Sequence, residues 1–339
     1  MTQSITHRNQ YIPRFYLKNW SLDGKTIQTY SILVSNSKVP YWTQQSIKNS
    51  AVWNDFYTRT EGDKEVDDFE HWFDRKFETP VKPVFDKLLN DQKISREESI
   101  ILSHFVFAQY VRTPAAYLRL AEQSRQAFPK IIEDTVSRLN KVAKNMQKGY
   151  PAPHIPDSIR NQLWPIKVVV DKENSMVEIK TIVGRGLYLH NLKRLLSSTL
   201  KVAECHDWKI LHASEDISFP TSDDPVICMN YRNEHDYDFN GGWGRENCNI
   251  LMPLSPRLIL FAQVGSNGPY TDLDFSPRYS QLFRRMIIQH AHRYVYSDRP
   301  QKGMLELNAR VVNRDLYEKE KQGMAGWHIE QIQAEQSLY

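Results

Sequence analysis

Cysteine is scarce in this chain, with Cys205, Cys228 and Cys248 the only three in 339 residues. Three thiols so widely spaced make neither a disulfide framework nor a zinc site, and they point to a reducing, cytoplasmic setting. Long apolar runs are missing as well. No stretch approaches the roughly 18 apolar residues needed to span a bilayer, so no membrane association is expected. The opening Met1-Thr2-Gln3-Ser4-Ile5-Thr6-His7 has neither the basic nor the apolar region of a secretion signal. There is no G-x-S-x-G elbow, no phosphate-binding glycine loop, no H-E-x-x-H and no zinc-ribbon spacing. The usual signatures of esterases, nucleotide-binding enzymes and metalloproteases are therefore absent. Internal repeats and low-complexity tracts are absent too.

What is present is the composition of a soluble globular protein, with 40% hydrophobic and 25% charged residues. The net charge of +4 permits contact with nucleic acid without arguing for it. The length fits one elaborated domain, or two halves sharing a core: residues 1–150, with N-terminal strands and a helical block, and residues 151–339, of mixed strand and helix. Gly149-Tyr150-Pro151-Ala152-Pro153-His154-Ile155-Pro156 is the linker candidate between them.

Residues 7–60 read as strands and turns. They include an aromatic-rich Tyr11–Trp20 segment, an Asp23-Gly24 hairpin signal and the alternating strand Thr26–Ile32. The period then becomes helical, with Val66, Phe69, Trp72, Phe73 and Phe77 on one face and Pro80 and Pro83 expected to disrupt its end. Ser95-Arg96-Glu97-Glu98 has capping-box spacing and opens a helix apolar on most faces, which predicts a buried one. That helix ends at Arg112-Thr113-Pro114, where Thr113 can cap and Pro114 can open the next. The following helix carries Arg138, Lys141, Lys144 and Lys148 as a basic stripe, either a solvated face or a contact for an anionic partner. Together these patterns predict an α+β fold: a mixed or antiparallel sheet, with strands from both chain ends, packed on a central helical block.

The polar turn Phe219-Pro220-Thr221-Ser222-Asp223-Asp224-Pro225-Val226 lies between two strand-like runs. Its acids and hydroxyls either brace a turn or present a carboxylate to a ligand, with Asp223 the candidate base or metal ligand and Ser222 orienting it. Asp224 is assigned to its proline, since adjacent strand residues point to opposite faces. Arg112 closes a buried helix and needs an acid or an anionic ligand, with Glu70, Glu78, Asp55 and Asp223 available. His7 is the best N-terminal general acid/base. The loop Asp236–Asn247 resembles a calcium loop, but its twelfth position is Asn247 where a glutamate is needed.

The landmarks His7, Tyr11-Ile12-Pro13-Arg14-Phe15-Tyr16-Leu17, Asp55-Phe56-Tyr57, Arg112-Thr113-Pro114 and Trp208 recur in order. So do the Phe219–Val226 turn, Pro253-Leu254-Ser255-Pro256 and Ala291-His292-Arg293-Tyr294-Val295. In that order the chain resembles a bacterial family known as domain of unknown function 4238. It departs from the family pattern at Asp224, where Asn is usual, at Trp20, where Phe is usual, and at Phe283-Arg284-Arg285, where the family commonly has an Asn. The resemblance implies an intracellular prokaryotic protein and, for some relatives, a place among antiviral defence genes. The function expected is a nuclease-like or other phosphoester hydrolase. In it Asp223 and Glu70 bind a divalent metal (Mg or Mn), His7 acts as acid/base and Arg112 steadies the phosphate. The alternative is a non-catalytic recognition or sensor protein with a protein or nucleic-acid partner.

Overall fold

The computed structural model describes residues 6–61, 64–147, 166–171, 176–265 and 273–337. The proposed linker, Lys148 and the side chain of Lys144 lie outside the described residues. The architecture is α+β, with two antiparallel sheets against a helical block. The larger sheet is ordered Lys209–His212, Leu258–Gln263, Cys248–Pro253, Ile227–Asn233, Asp236–Asp238. Its central strand is buried at every position, and Cys228, Ile250, Met252 and Leu260 join the main core. The second sheet takes Thr26–Ser31 and Trp42–Ser46 from one end of the chain and Thr221–Ser222 and Tyr294–Ser297 from the other. A short parallel pair, Leu33–Val34 with Val311–Val312, adds a further link between the ends.

The first helix, α1 (Arg14–Leu17), corrects the strand reading of the aromatic segment, and a 3-10 turn follows it at Lys18–Trp20. Pro13, at φ −61°, stands just before the helix, where its missing N–H costs nothing. The helical period then puts Tyr16 and Trp20 on one side, with ring centroids 5.0 Å apart, and both are fully buried. Asp23-Gly24 therefore joins this 3-10 turn to a strand, not two strands.

The prolines of the next block do not end it. Helix α2 (Asp68–Phe73) passes through a wider π turn at Asp74–Glu78 into α3 (Thr79–Leu89). In the π turn the Thr79 N–H bonds the Asp74 carbonyl five residues back, and this wider turn runs directly into Pro80, while Pro83 removes one bond inside α3. Helix α4 (Arg96–Val111) starts with the expected reciprocal cap. Ser95 Oγ accepts from the Glu98 N–H at 3.2 Å, and the Glu98 carboxylate accepts from the Ser95 N–H at 2.8 Å. Leu102, Phe105, Val106 and Phe107 are buried, as a central helix requires. Helix α5 (Pro114–Gln147) is packed in its first two turns and then runs out with most described side chains exposed. Its Thr113 cap is present, the hydroxyl accepting from the Ala116 N–H at 3.1 Å.

Candidate functional site

Two polar clusters gather the residues singled out in the sequence, and they meet where α4 turns into α5. The first is a rim on the short strand Arg8–Gln10, which pairs with Val52–Asn54. That pairing sets His7 against Asp55. The His7 carbonyl accepts from the Asp55 N–H at 2.7 Å, and His7 Nδ1 lies 2.7 Å from Asp55 Oδ1. Asp55 reaches this position in the left-handed region, at φ 56°, which Asp tolerates better than most residues. The hydrogen bond to Asp55 raises the pKa of His7, whose side chain is 57% exposed.

Glu70, on α2, meets the same strand at Asn9 and Gln10. Asn9 Nδ2 lies 3.5 Å from Glu70 Oε2, the outer limit of a hydrogen bond, while Asn9 Oδ1 accepts from the Tyr57 N–H at 3.0 Å. Burial pushes the Glu70 carboxyl up to about 7, and Glu78 and Asp67 add to that, against the pull of Arg112 and the Gln10 N–H. Asp67 accepts from the Thr6 N–H through Oδ2, whereas its Oδ1 is buried without a hydrogen-bond partner.

Arg112 is sealed, with 1% of its surface exposed. It donates from Nη1 to Glu78 Oε1 and from Nη2 to the Gln10 carbonyl, both at 2.6 Å, and its guanidinium lies 4.5 Å from the Phe73 ring centroid. Of the four acids available to it, Glu78 is the one that pairs. The Tyr57 hydroxyl donates to the Arg112 carbonyl at 2.6 Å, tying the end of α4 to the rim.

The second cluster is the Thr221–Pro225 turn, a clamp inside the protein. Asp223 is 3% exposed, and its two oxygens accept from the His292 and Arg293 N–H groups at 2.9 and 2.8 Å. Burial pushes its carboxyl up to about 7, opposed by these same main-chain donors. Ser222 pairs with Val295 in the sheet, and its Oγ accepts from the Asp224 N–H at 3.2 Å.

Asp224 does more than precede a proline. It accepts from Thr113 Oγ1 at 2.9 Å and from Arg119 Nη1 at 2.6 Å, with His290 Nε2 at 3.6 Å. His290 Nδ1 lies 3.0 Å from the Asp224 carbonyl, so that nitrogen carries a proton.

His7, Glu70 and Arg112 are thus brought to the rim, while Ser222 and Asp223 belong to the clamp. A divalent metal between Glu70 and Asp223 does not suit this donor set, because both Asp223 oxygens are already taken by main-chain N–H groups. Among the described residues no group of three or more His, Cys, Asp or Glu is arranged to hold a metal ion. The calcium-like loop instead forms the strand Asp236–Asp238, with Asp238 accepting from Asn230 and from the Asn240 N–H. Sequence reasoning missed Asp55 as the partner of His7, and it missed the Thr113, Arg119 and His290 side chains around Asp224. The left-handed tendency of Asn54-Asp55 was the one local signal for the first; the others are contacts between distant segments.

A family model described as a protein of unknown function, DUF4238, matches residues 8–301. The chain belongs to the DUF4238 family. The match takes in the rim except His7, which immediately precedes it, together with α4, the clamp and the strand Tyr294–Ser297. No curated protein and no solved structure matches the chain. Residues past the match still reach the family region: His328 Nε2 lies 2.6 Å from Glu65 Oε1, Trp327 packs on Trp53 with centroids 5.3 Å apart, and Glu320 pairs with Arg293. No helix among the described residues is long and apolar enough to cross a membrane.

Proposed function

We propose that this member of the DUF4238 family is a hydrolase whose proton transfers are organised around His7, Asp55 and Glu70. One observation carries the reading. The strand Arg8–Gln10 follows an exposed imidazole fixed by the Asp55 carboxylate, and its Asn9 and Gln10 meet Glu70, a half-buried carboxylic acid within the field of the sealed Arg112. Asp55 accepts from His7 Nδ1–H, which leaves Nε2 to take a proton from water. Glu70, with its pKa near neutrality, holds a proton for the leaving group over part of the physiological range. Arg112 touches no substrate in this scheme; it is a positioning residue that restrains the rise in the Glu70 pKa and anchors the Arg8–Gln10 strand.

Phosphoester cleavage is the first reaction to try, and phage nucleic acid the first natural substrate, given the defence setting that the family resemblance implies. Asp55, Asp67 and Glu70 make the rim acidic, so a phosphodiester needs a counter-cation to approach it, whereas a carboxylic ester does not. The test compares p-nitrophenyl acetate with bis-p-nitrophenyl phosphate, the latter with added Mg, with added Mn and with neither. Glu70→Gln and His7→Ala are each expected to lower the parent rate about 10²- to 10⁴-fold while remaining folded at the assay temperature. A parent that hydrolyses neither probe, or variants that keep the parent rate, would overturn the proposal.

A recognition role is the second reading, favoured by the outer part of α5. Ile131 and Val136 are 52% and 37% exposed there, and Arg138 and Lys141 are exposed beside them. Reversing the charge of Arg138 and Lys141 together should abolish a nucleic-acid gel shift if this face is the contact. An unchanged shift would reject it.

A further inference from the structure

An apolar cleft of about 590 Å³ opens between the loop joining α3 to α4 and the edge strand Lys209–His212, away from the rim and the clamp. Ile210 and His212 alternate along the strand and share the face that lines the cleft, and Trp208, just before the strand, lines it with them. Leu88, Ile94 and Leu102 come from the helical side and form the opposite wall. The Trp208 indole is fixed, its Nε1–H donating to Ser103 Oγ at 2.6 Å.

The mouth is more unusual than the walls. His212 sits between two carboxylates, with Nε2 2.9 Å from Asp91 Oδ1 and Nδ1 3.0 Å from Asp274 Oδ1. Acceptor oxygens facing both ring nitrogens favour the protonated ring. Burial works against the charged ring, but the two carboxylates outweigh it and the pKa is raised. Phe275 stacks on the ring at 4.6 Å and 6°, yet 58% of its own surface is exposed.

Asp91 and Phe275 both lie in the left-handed region, at φ 53° and 55°, and phenylalanine pays a genuine steric penalty there. Strain of this kind persists where the surroundings hold it, and it concentrates at ligand clamps. Here both strained residues grip the same histidine from opposite sides of one cleft. Asp91, with its side chain 69% exposed, and Lys93 stand two residues apart at the opening, offering opposite charges.

We propose that this cleft binds a free α-amino acid with a bulky apolar side chain. The side chain enters between Ile210 and Ile94, the ammonium meets Asp91 and the carboxylate meets Lys93. His212 is a positioning residue that holds Asp91 and Phe275 in place. The proposal stands apart from the hydrolase reading, since it uses none of the rim residues.

The test is calorimetric titration of the full chain with a matched series: L-phenylalanine, phenethylamine, which lacks the carboxylate, and 3-phenylpropionate, which lacks the ammonium. L-phenylalanine should bind about tenfold more tightly than either relative, the gain expected from one charged hydrogen bond. Lys93→Gln should remove its advantage over phenethylamine and leave phenethylamine itself unaffected. Ile210→Trp, which fills the cleft without touching the charged mouth, should abolish binding of all three while leaving the thermal transition in place. No heat of binding from L-phenylalanine at millimolar concentration overturns the proposal, as does an Ile210→Trp variant that folds and binds like the parent. Equal affinity across the series would show an apolar hole without amino-acid recognition, and would overturn it too.

Discussion

Glu70 and Asp223 are both carboxylic acids that burial pushes up to about 7, and they spend that property differently. Asp223 has both oxygens engaged by main-chain N–H groups from the His292–Arg293 turn, and its neighbour Asp224 joins Thr113 and Arg119 across the helix–sheet boundary. Glu70 takes one main-chain N–H, from Gln10, and a long contact from Asn9, and it is only half-buried. A raised pKa is thus shared by a group that holds the fold together and a group with proton-transfer capacity left over. Hydrogen-bond occupancy and access separate the two roles; the pKa does not.

Breaking the clamp should have the largest effect. Asp224→Ala would leave the buried Thr113 hydroxyl and the one-third-exposed Arg119 without their acceptor, at a cost of about 3 kcal/mol, the low end of the range for breaking a buried pair because water reaches Arg119. Urea denaturation measures it. A loss below about 1 kcal/mol would mean that the clamp contributes little net stability and that the contrast with the rim is overstated.

Neutralising the two acids sharpens the comparison further, because the two variants should part at pH 5. A carboxyl whose folded pKa is about 7, above an ordinary 4.5, contributes stability that is complete below pH 4.5 and lost as pH rises through 7. For Glu70 the loss amounts to about 3 kcal/mol at most. Glu70→Gln keeps the residue neutral, so the variant should match the parent at pH 5 and exceed its stability at pH 8. Asp223→Asn is neutral as well, but its amide turns an N–H group toward one of the two main-chain donors. It should therefore lose about 1–3 kcal/mol at pH 5 for an unsatisfied buried N–H. Above pH 7 both neutral variants escape the cost of ionising a buried acid, so thermal melts at pH 5 decide the matter; an Asp223→Asn variant as stable there as Glu70→Gln would erase the distinction.

The parts of this architecture that were legible in the sequence are local ones. Ser95 and Glu98 lie three residues apart and find each other through the helix that they open, so spacing alone revealed the cap. The alternation of Thr26–Ser31 and the apolar surface of α4 were legible for the same reason. The Tyr11–Trp20 segment was misread because its aromatic content favours strands, while Pro13 and the Tyr16–Trp20 spacing favour a helix. Thr113 and Asp224 are 111 residues apart, and no periodicity in either segment names the other. Arg112 showed that a buried partner was required without showing which of four acids supplied it. Asp224 looked dispensable because its proline already explained the turn; its three side-chain contacts depend on how α5 and the Pro277–His290 helix pack.

Ser222 gives a smaller effect within the clamp. Its hydroxyl accepts one hydrogen bond, from the Asp224 N–H, so Ser222→Ala should cost about 1 kcal/mol and leave hydrolysis unchanged. A fall in rate without a fall in stability would move Ser222 from the clamp to the reacting site.

The smallest change in stability should come from His7→Ala. The imidazole is 57% exposed and its pairing with Asp55 is open to water, so its removal should cost less than about 0.5 kcal/mol, near the lower end for exposed ion pairs. Its raised pKa adds stability at acidic pH that disappears as pH rises through the folded value, so the parent and variant melting curves should draw together above neutrality. Activity should show the opposite proportion. If His7 is the base, the parent rate rises with pH as the imidazolium deprotonates, and the variant lacks both that limb and most of the rate. A variant that loses stability as Asp224→Ala does, with the pH–rate limb intact, would place His7 among the structural groups and leave Glu70 without its partner.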